Sequence, residues 1–167
     1  FYESAMNIPL CIRPPGGTKA WQSKALTDQL DLTDTMLEIA DAPYLNDASE
    51  YRSSLVSKVM DGPSAPSAQE GKDVVFSDVR LYSMARNDKY KLAVDSLTRE
   101  ATELYDMDAD ADQIHNLIED TEYDDARSEL MDHLNVHLDK LDHDKAKAYQ
   151  DKFNANPNLG SASDKMN

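Results

Sequence analysis

Four short β-prone segments, Val74-Val75-Phe76-Ser77, Leu81 to Arg86, Tyr90 to Val94 and Glu103 to Asp106, follow one another with only a few residues between them. Breaks as short as Asn87-Asp88, or the polar stretch around Ser96 to Arg99, turn a chain back on itself but are too short for a parallel crossover. This region is therefore expected to form an antiparallel meander. After Asp120 the period changes: Leu130, Leu134, Leu138 and Leu141 recur at spacings of three and four, one buried stripe on a long helix.

The part before the meander reads differently. Ile8 to Arg13 is apolar at nearly every position, as in a short strand covered on both faces, and Pro14-Pro15-Gly16-Gly17 stops it. Leu32, Met36, Leu37, Ile39 and Ala40 then share one side of a predicted helix, with Asp31 as N-cap, Asp34 at N3 and Pro43 as the stop. A strand followed by a helix is an α/β signature. From Asp61 to Gly71, Gly, Pro, Ser and Ala dominate, which reads as a surface loop or linker, and the Asn-, Gly- and Ser-rich residues from Asn154 to Asn167 are expected to fray. With 167 residues, 40 % of them apolar, one unit with a modest core is the expectation.

Charge narrows the partners. Seventeen Lys and Arg stand against 32 Asp and Glu, a formal charge of -15, with no basic stripe to meet phosphates. Nucleic acid and anionic membrane surfaces are thereby disfavoured. No run of about 18 apolar residues marks a membrane span, and no basic region followed by an apolar stretch marks a signal peptide. The opening on Phe1-Tyr2-Glu3, without Met and almost directly into the strand-like segment, reads as a fragment whose export signal lies elsewhere. Cys11 is the single cysteine, so an internal disulfide and a multi-cysteine zinc site are excluded. Between Leu10 and Ile12 it is expected to be a buried, inert thiol.

Asp108, Asp110, Asp112, Asn116 and Glu119 fall at positions one, three, five, nine and twelve of a calcium loop of the EF-hand kind, but Gln113 occupies the position that needs Gly. A solvated acidic turn is the preferred reading. His133 and His137 stand four apart and share a helix face, where two nitrogens would meet a metal. No third ligand sits at a supporting spacing, and an exposed flank is expected; His115 and His143 are read as surface imidazoles. No Gly-rich phosphate loop, G-x-S-x-G elbow or H-E-x-x-H helix occurs. Arg13, Lys19 and Lys24 cluster around the Pro-Gly loop, where an anion would meet the end of a strand, although solvated loop charges are favoured. Trp21 in that loop suits stacking on a sugar ring or anchoring the loop, and the anchor is favoured.

The order of segments is similar to that of a known family. Tyr2-Glu3-Ser4 followed by Asn7-Ile8-Pro9-Leu10-Cys11-Ile12-Arg13-Pro14-Pro15-Gly16 resembles the sulfatase segment Y-E-x-x-x-R-V-P-L-I-I-R-x-P-G, and Leu30-Asp31-Leu32-Thr33-Asp34-Thr35-Met36-Leu37 resembles its D-L-x-P-T-L-L helix. Arg52-Ser53-Ser54-Leu55 and Gly62 resemble G-R-S-L and a later Gly, and Val75-Phe76-Ser77-Asp78 resembles V-F-S-E. Met84-Ala85-Arg86-Asn87-Asp88-Lys89-Tyr90-Lys91-Leu92 resembles V-R-T-x-R-Y-K. Glu103-Leu104-Tyr105-Asp106-Met107 with Asp110, Gln113 and Asn116-Leu117 resembles E-L-Y-D-L-x-x-D-P-x-E-x-x-N-L, and Tyr123 opens the closing helix.

The resemblance, over about residues 2 to 140, implies the C-terminal part of an alkaline-phosphatase-like α/β fold: one core strand and helix, then a small antiparallel sheet subdomain with a C-terminal helix. The implied boundaries are residues 1–60 for the end of the catalytic α/β domain, 61–73 for a linker, 74–153 for the subdomain and 154–167 for a tail. It implies a sulfuric ester hydrolase, periplasmic or secreted, acting on sulfate esters or sulfamates, with sulfated carbohydrate as the favoured partner. Its formylglycine and calcium are expected upstream of Phe1. Cys11-Ile12-Arg13-Pro14-Pro15 inverts the C-x-P-x-R order that formylglycine formation needs, so no catalytic or metal residue is carried onto this chain, and the fragment is expected to be inactive alone. Lys19 and Trp21 are the candidates for the substrate side. A phosphodiesterase or phosphonate hydrolase of the same superfamily, and a non-enzymatic acidic binding module, are the alternatives.

Overall fold

The computed structural model describes residues 1–16, 20–43, 53–141 and 143–155, and divides the chain into two units, one made of residues 1–3 with 76 onward and the other of residues 4–75. The larger unit is the expected meander: β1 (Val75–Val79), β2 (Tyr82–Arg86), β3 (Tyr90–Asp95) and β4 (Ala101–Asp106) lie side by side in chain order, with β2, β3 and β4 paired antiparallel. The turns explain the register. Arg80 takes a left-handed φ of 58° in the two-residue link from β1 to β2. The Asn87 side chain accepts from the Lys89 and Tyr90 amides at 3.0 and 2.6 Å, closing the second turn. Asp95 does the same for Leu97 and Thr98, both at 2.8 Å.

Directly paired residues share a sheet face. Ala85, Leu92 and Leu104 are paired in this way and fully buried, while Arg86, Lys91 and Tyr105 line the opposite face. Helix α4 (Asp124–Leu138) follows a 3-10 turn at Thr121–Tyr123, packs on β2 and β3, and buries Leu130, Leu134 and Leu138 completely. Tyr90, on the Leu92 face, meets the Tyr123 ring edge-on at 6.1 Å. The leucine period therefore located the helix, but not its end. The amides of Lys140 and Leu141 bond three residues back, to His137 and Leu138, and α5 (His143–Ala155) starts afresh. Arg99 grips the end of α4, donating to Asn135 at 3.0 Å and pairing with Asp139.

The smaller unit departs further from expectation. α1 (Glu3–Met6) is a single turn, shared between the two groups of residues, and Ile8 to Arg13 forms no strand. Ile8, Leu10 and Ile12 are 61 %, 47 % and 41 % exposed, and Cys11 is exposed as well, correcting the buried thiol. The reason is pairing: a strand apolar on both faces needs neighbours to take its backbone groups and side chains, and the described residues offer it none.

α2 (Gln29–Ile39) is capped three residues earlier than expected. Asp28 is the N-cap, accepting from the Leu30 and Asp31 amides, and Asp31 at N3 returns a bond to the Asp28 amide at 2.9 Å. The Asp-x-x-Asp spacing occurs twice, at 28/31 and 31/34, and the first copy wins because Asp31 has other work. Its carboxylate also accepts from the Ser53 amide and pairs with Lys72, both at 2.7 Å. The helix ends before Pro43, with Asp41 left-handed at φ 50°. Its buried residues are Asp31, Asp34 and Thr35, whereas Leu30, Met36 and Ile39 face outward, the reverse of the expected apolar burial.

α3 (Val56–Asp61) starts from the buried Leu55, whose amide bonds the Thr35 hydroxyl at 2.8 Å. In the Gly- and Pro-rich stretch a 3-10 turn at Pro66–Ala68 buries Ala68, whose carbonyl accepts from Ser23 at 2.6 Å. Gly71 passes so close to Leu26 that a β-carbon there would stand 2.4 Å from the Leu26 nitrogen.

Candidate functional site

The strongest concentration of buried charge lies on the sheet face opposite α4. Lys91, the second residue of β3, is paired with Arg86 on β2 and Tyr105 on β4, and is 1 % exposed. A buried ammonium must find acceptors. Its Nζ donates to the Phe1 carbonyl at 3.0 Å, to Glu3 Oε1 at 2.8 Å and to Gln113 Oε1 at 3.2 Å. Arg86 Nη1 meets both Glu3 oxygens at 2.6 and 2.7 Å, and the Glu3 amide donates to Gln113 Oε1 at 2.6 Å. Gln113 is held there in a left-handed conformation, φ 56°. One carboxylate, two cations and one amide thus fix residues 1–3 on the sheet.

Electrostatics follow from this geometry. Burial lowers the Lys91 pKa, opposed by the bond and charge of Glu3. Burial alone would raise Glu3, but the hydrogen bond and charge of Lys91, with Arg86, win and hold it below the ordinary range.

A second polar group joins β1 to α4. His137 stacks on Phe76 with ring centres 4.4 Å apart and planes 5° from parallel, and its Nε2 lies 2.9 Å from Asp78 Oδ2. Ser83 donates to Asp78 Oδ1 at 2.5 Å and is 2.8 Å from the Ser96 hydroxyl. Asp78 is lowered although burial pushes it up, because His137 and Ser83 both bond its carboxylate. A serine, a carboxylate and an imidazole meet here in an order that does not activate a nucleophile: the hydroxyl bonds the carboxylate rather than the imidazole.

The acidic loop after β4 turns its oxygens onto its own backbone. Asp106 accepts from the Asp108 and Ala109 amides at 3.0 Å, Asp110 from Ile114 at 3.1 Å and His115 at 2.7 Å, and Asn116 from Leu104 at 3.0 Å and Ile118 at 3.1 Å. These bonds lower Asp110, the His115 amide most. Among the described residues no group of three or more His, Cys, Asp or Glu is arranged to hold a metal. His133 is exposed and His137 is committed to Asp78, so the helical pair does not act together. His115 is exposed, 3.8 Å from Asp110.

Of the substrate-side candidates, Trp21 is half-buried in the irregular stretch before α2, and Lys19 lies outside the described residues, as do Arg52 and most of the tail. Arg13 and Lys24 are exposed. An open depression lined by Ala101, Asp124, Asp125, Arg127, Ser128 and Met131 has its one cation engaged, since Arg127 bonds Asp124 and the Ile118 carbonyl, both at 2.7 Å. Sequence reasoning noted Glu3, Arg86 and Lys91 only inside longer segments. Their partnership spans 83 to 88 residues, and a lysine between Tyr90 and Leu92 carries no local sign of burial.

No protein-family profile matches the chain. An uncharacterized sulfatase of Escherichia coli strain K12, YidJ, is 27 % identical over 164 residues, covering 89 % of this chain and 29 % of its own length. The chain thus spans under a third of that relative. Among solved structures, a 2-O GAG sulfatase is similar with a TM-score of 0.52 at 23 % identity, over 66 % of this chain and 24 % of that one. A candidate sulfatase from Bacteroides thetaiotaomicron matches with the same figures. In sequence and in the arrangement of its antiparallel sheet and closing helix, the chain is similar to a part of the sulfatases, their C-terminal subdomain.

Proposed function

We propose that this chain is the C-terminal portion of a sulfatase that hydrolyses sulfate esters or sulfamates, with sulfated sugars as its substrate class and the periplasm or cell exterior as its place of work. The observation that carries this reading is the sequence match to a sulfatase along 89 % of the chain, supported by two sulfatase-like folds. No helix among the described residues is long and apolar enough to cross a membrane. Formylglycine and calcium belong, in this reading, to the sequence upstream of Phe1. Neither group fits what the chain offers: Cys11-Ile12-Arg13-Pro14-Pro15 has the wrong order, and among the described residues the carboxylates of Asp106 and Asp110 are spent on backbone amides. In this reading the chain itself performs no step of hydrolysis. It contributes scaffold, and Lys19 and Trp21 on the substrate side of the cleft.

The test is the coding sequence upstream of Phe1. C-x-P-x-R or S-x-P-x-R together with an Asp-Asn/His-Gly segment is expected there, and a start codon in its place overturns the proposal. Sulfate release from sulfated sugars by the full-length enzyme then separates a sulfatase from a phosphodiesterase or phosphonate hydrolase, whose substrates would release phosphate or phosphonate products instead.

A further inference from the structure

β4 ends the sheet in the order β1-β2-β3-β4, so its outer side carries backbone groups that no further strand takes among the described residues. The acidic loop that follows takes them instead. Asn116 Oδ1 accepts from the Leu104 amide at 3.0 Å while its Nδ2 donates to the Thr102 carbonyl at 3.0 Å, so one side-chain amide stands where a neighbouring strand's peptide groups would stand. The Leu117 amide donates to the Leu104 carbonyl and the Asp110 amide to the Asp106 carbonyl, both at 2.8 Å. The loop is itself held down. Lys91 and the Glu3 amide both donate to Gln113 Oε1, at 3.2 and 2.6 Å, and Arg127 donates to the Ile118 carbonyl at 2.7 Å.

We propose that residues 107–118 form a strap that closes the β4 edge, with Asn116 as its clasp, and that the strap keeps β4 from pairing edge to edge with a second copy of this chain. Open edges are templates for another strand, and the same strand in a second copy fits this one. Antiparallel pairing with Leu104 opposite Leu104 sets Thr102 opposite Asp106 and Glu103 opposite Tyr105, so no like charges stand face to face. Thr102 and Tyr105 are also strand-favouring residues. With the clasp removed, water satisfies the Leu104 amide and the Thr102 carbonyl in dilute solution, and the second strand displaces that water as concentration rises. Asn116 is exposed, so its truncation leaves no cavity in the core. The strap lies within the sheet's own unit, and its test stands apart from the sulfatase reading.

The experiment is residue-resolved hydrogen exchange of the full chain, wild type and Asn116→Ala, as a function of protein concentration, with the Leu92 amide of the interior strand β3 reporting that the sheet is intact. In dilute Asn116→Ala the Leu104 amide is expected to exchange at least tenfold faster than in wild type while Leu92 is unchanged. Raising the concentration is expected to slow Leu104 at least tenfold in the variant and to leave it unchanged in wild type; association through any other surface would not protect this amide. Wild-type protection of Leu104 in the variant overturns the role of Asn116 as clasp. Fast exchange at every concentration overturns the guarding of the edge against a second copy. Should Asn116→Ala fail to fold, Asn116→Ser, one bond shorter than the native side chain, is read in the same way, and failure of both to fold overturns the proposal by making the residue a condition of the sheet rather than a clasp upon it.

Discussion

Glu3, half-buried, and Asp78, more exposed, share an electrostatic situation: each carboxylate is held down in pKa by cationic or donor partners that outweigh its desolvation. The unfolded chain takes up protons on both at a pH where the folded chain does not, so their contribution is complete above the ordinary carboxylate range, about pH 4, and is lost as pH falls below it. Denaturant unfolding between pH 7 and pH 3 is expected to show this loss, and Glu3→Gln to show less of it. At pH 7 the same substitution leaves Lys91 buried without a counter-charge and is expected to cost roughly 3 kcal/mol. Gly71→Ala makes a different demand. Its new methyl would collide with backbone, 2.4 Å from the Leu26 nitrogen, and a loss of about 1–3 kcal/mol in the same measurement is the expected outcome.

Elements were legible where their cause was local. The β-prone runs and their Asn87 and Asp95 turns gave all four strands, and the leucine spacing gave α4, because side-chain period and turn chemistry are written in neighbouring residues. What failed was set at a distance. The cap of α2 depended on Lys72 and Ser53 competing for Asp31, and the strand at Ile8 to Arg13 depended on partners the described residues lack. The candidate site was legible as a string of family-like segments, yet the meeting of Glu3 with Lys91 was not, since nothing near either residue announces the other. Two substitutions test the packing. Leu134→Ala, wholly buried, is expected to lose about 2–5 kcal/mol, whereas Met36→Ala, 63 % exposed, should change stability by no more than about 0.5 kcal/mol in this chain.

Across the molecule, the apolar residues divide unevenly. The sheet and α4 hide most of theirs, Val79, Tyr82 and Val136 excepted, while Ile8, Leu10, Ile12, Leu30, Met36, Ile39 and Met60, all between residues 4 and 75, stand open to water. So many exposed apolar side chains in one unit point to a contact surface or an aggregation liability. In the sulfatase reading it is covered by the rest of the enzyme. The chain alone is therefore expected to enhance the fluorescence of an apolar dye, and Met36→Lys with Ile39→Lys to reduce that signal. The same surface should bind no dye in the full-length protein.

Cys11 gives this contrast a chemical reporter. The chain's lone thiol stands exposed in the middle of the unpaired apolar stretch. A maleimide should label it rapidly here and slowly, or not at all, once the stretch is buried between neighbouring strands. The rate of one alkylation thus times the moment at which the segment finds its place.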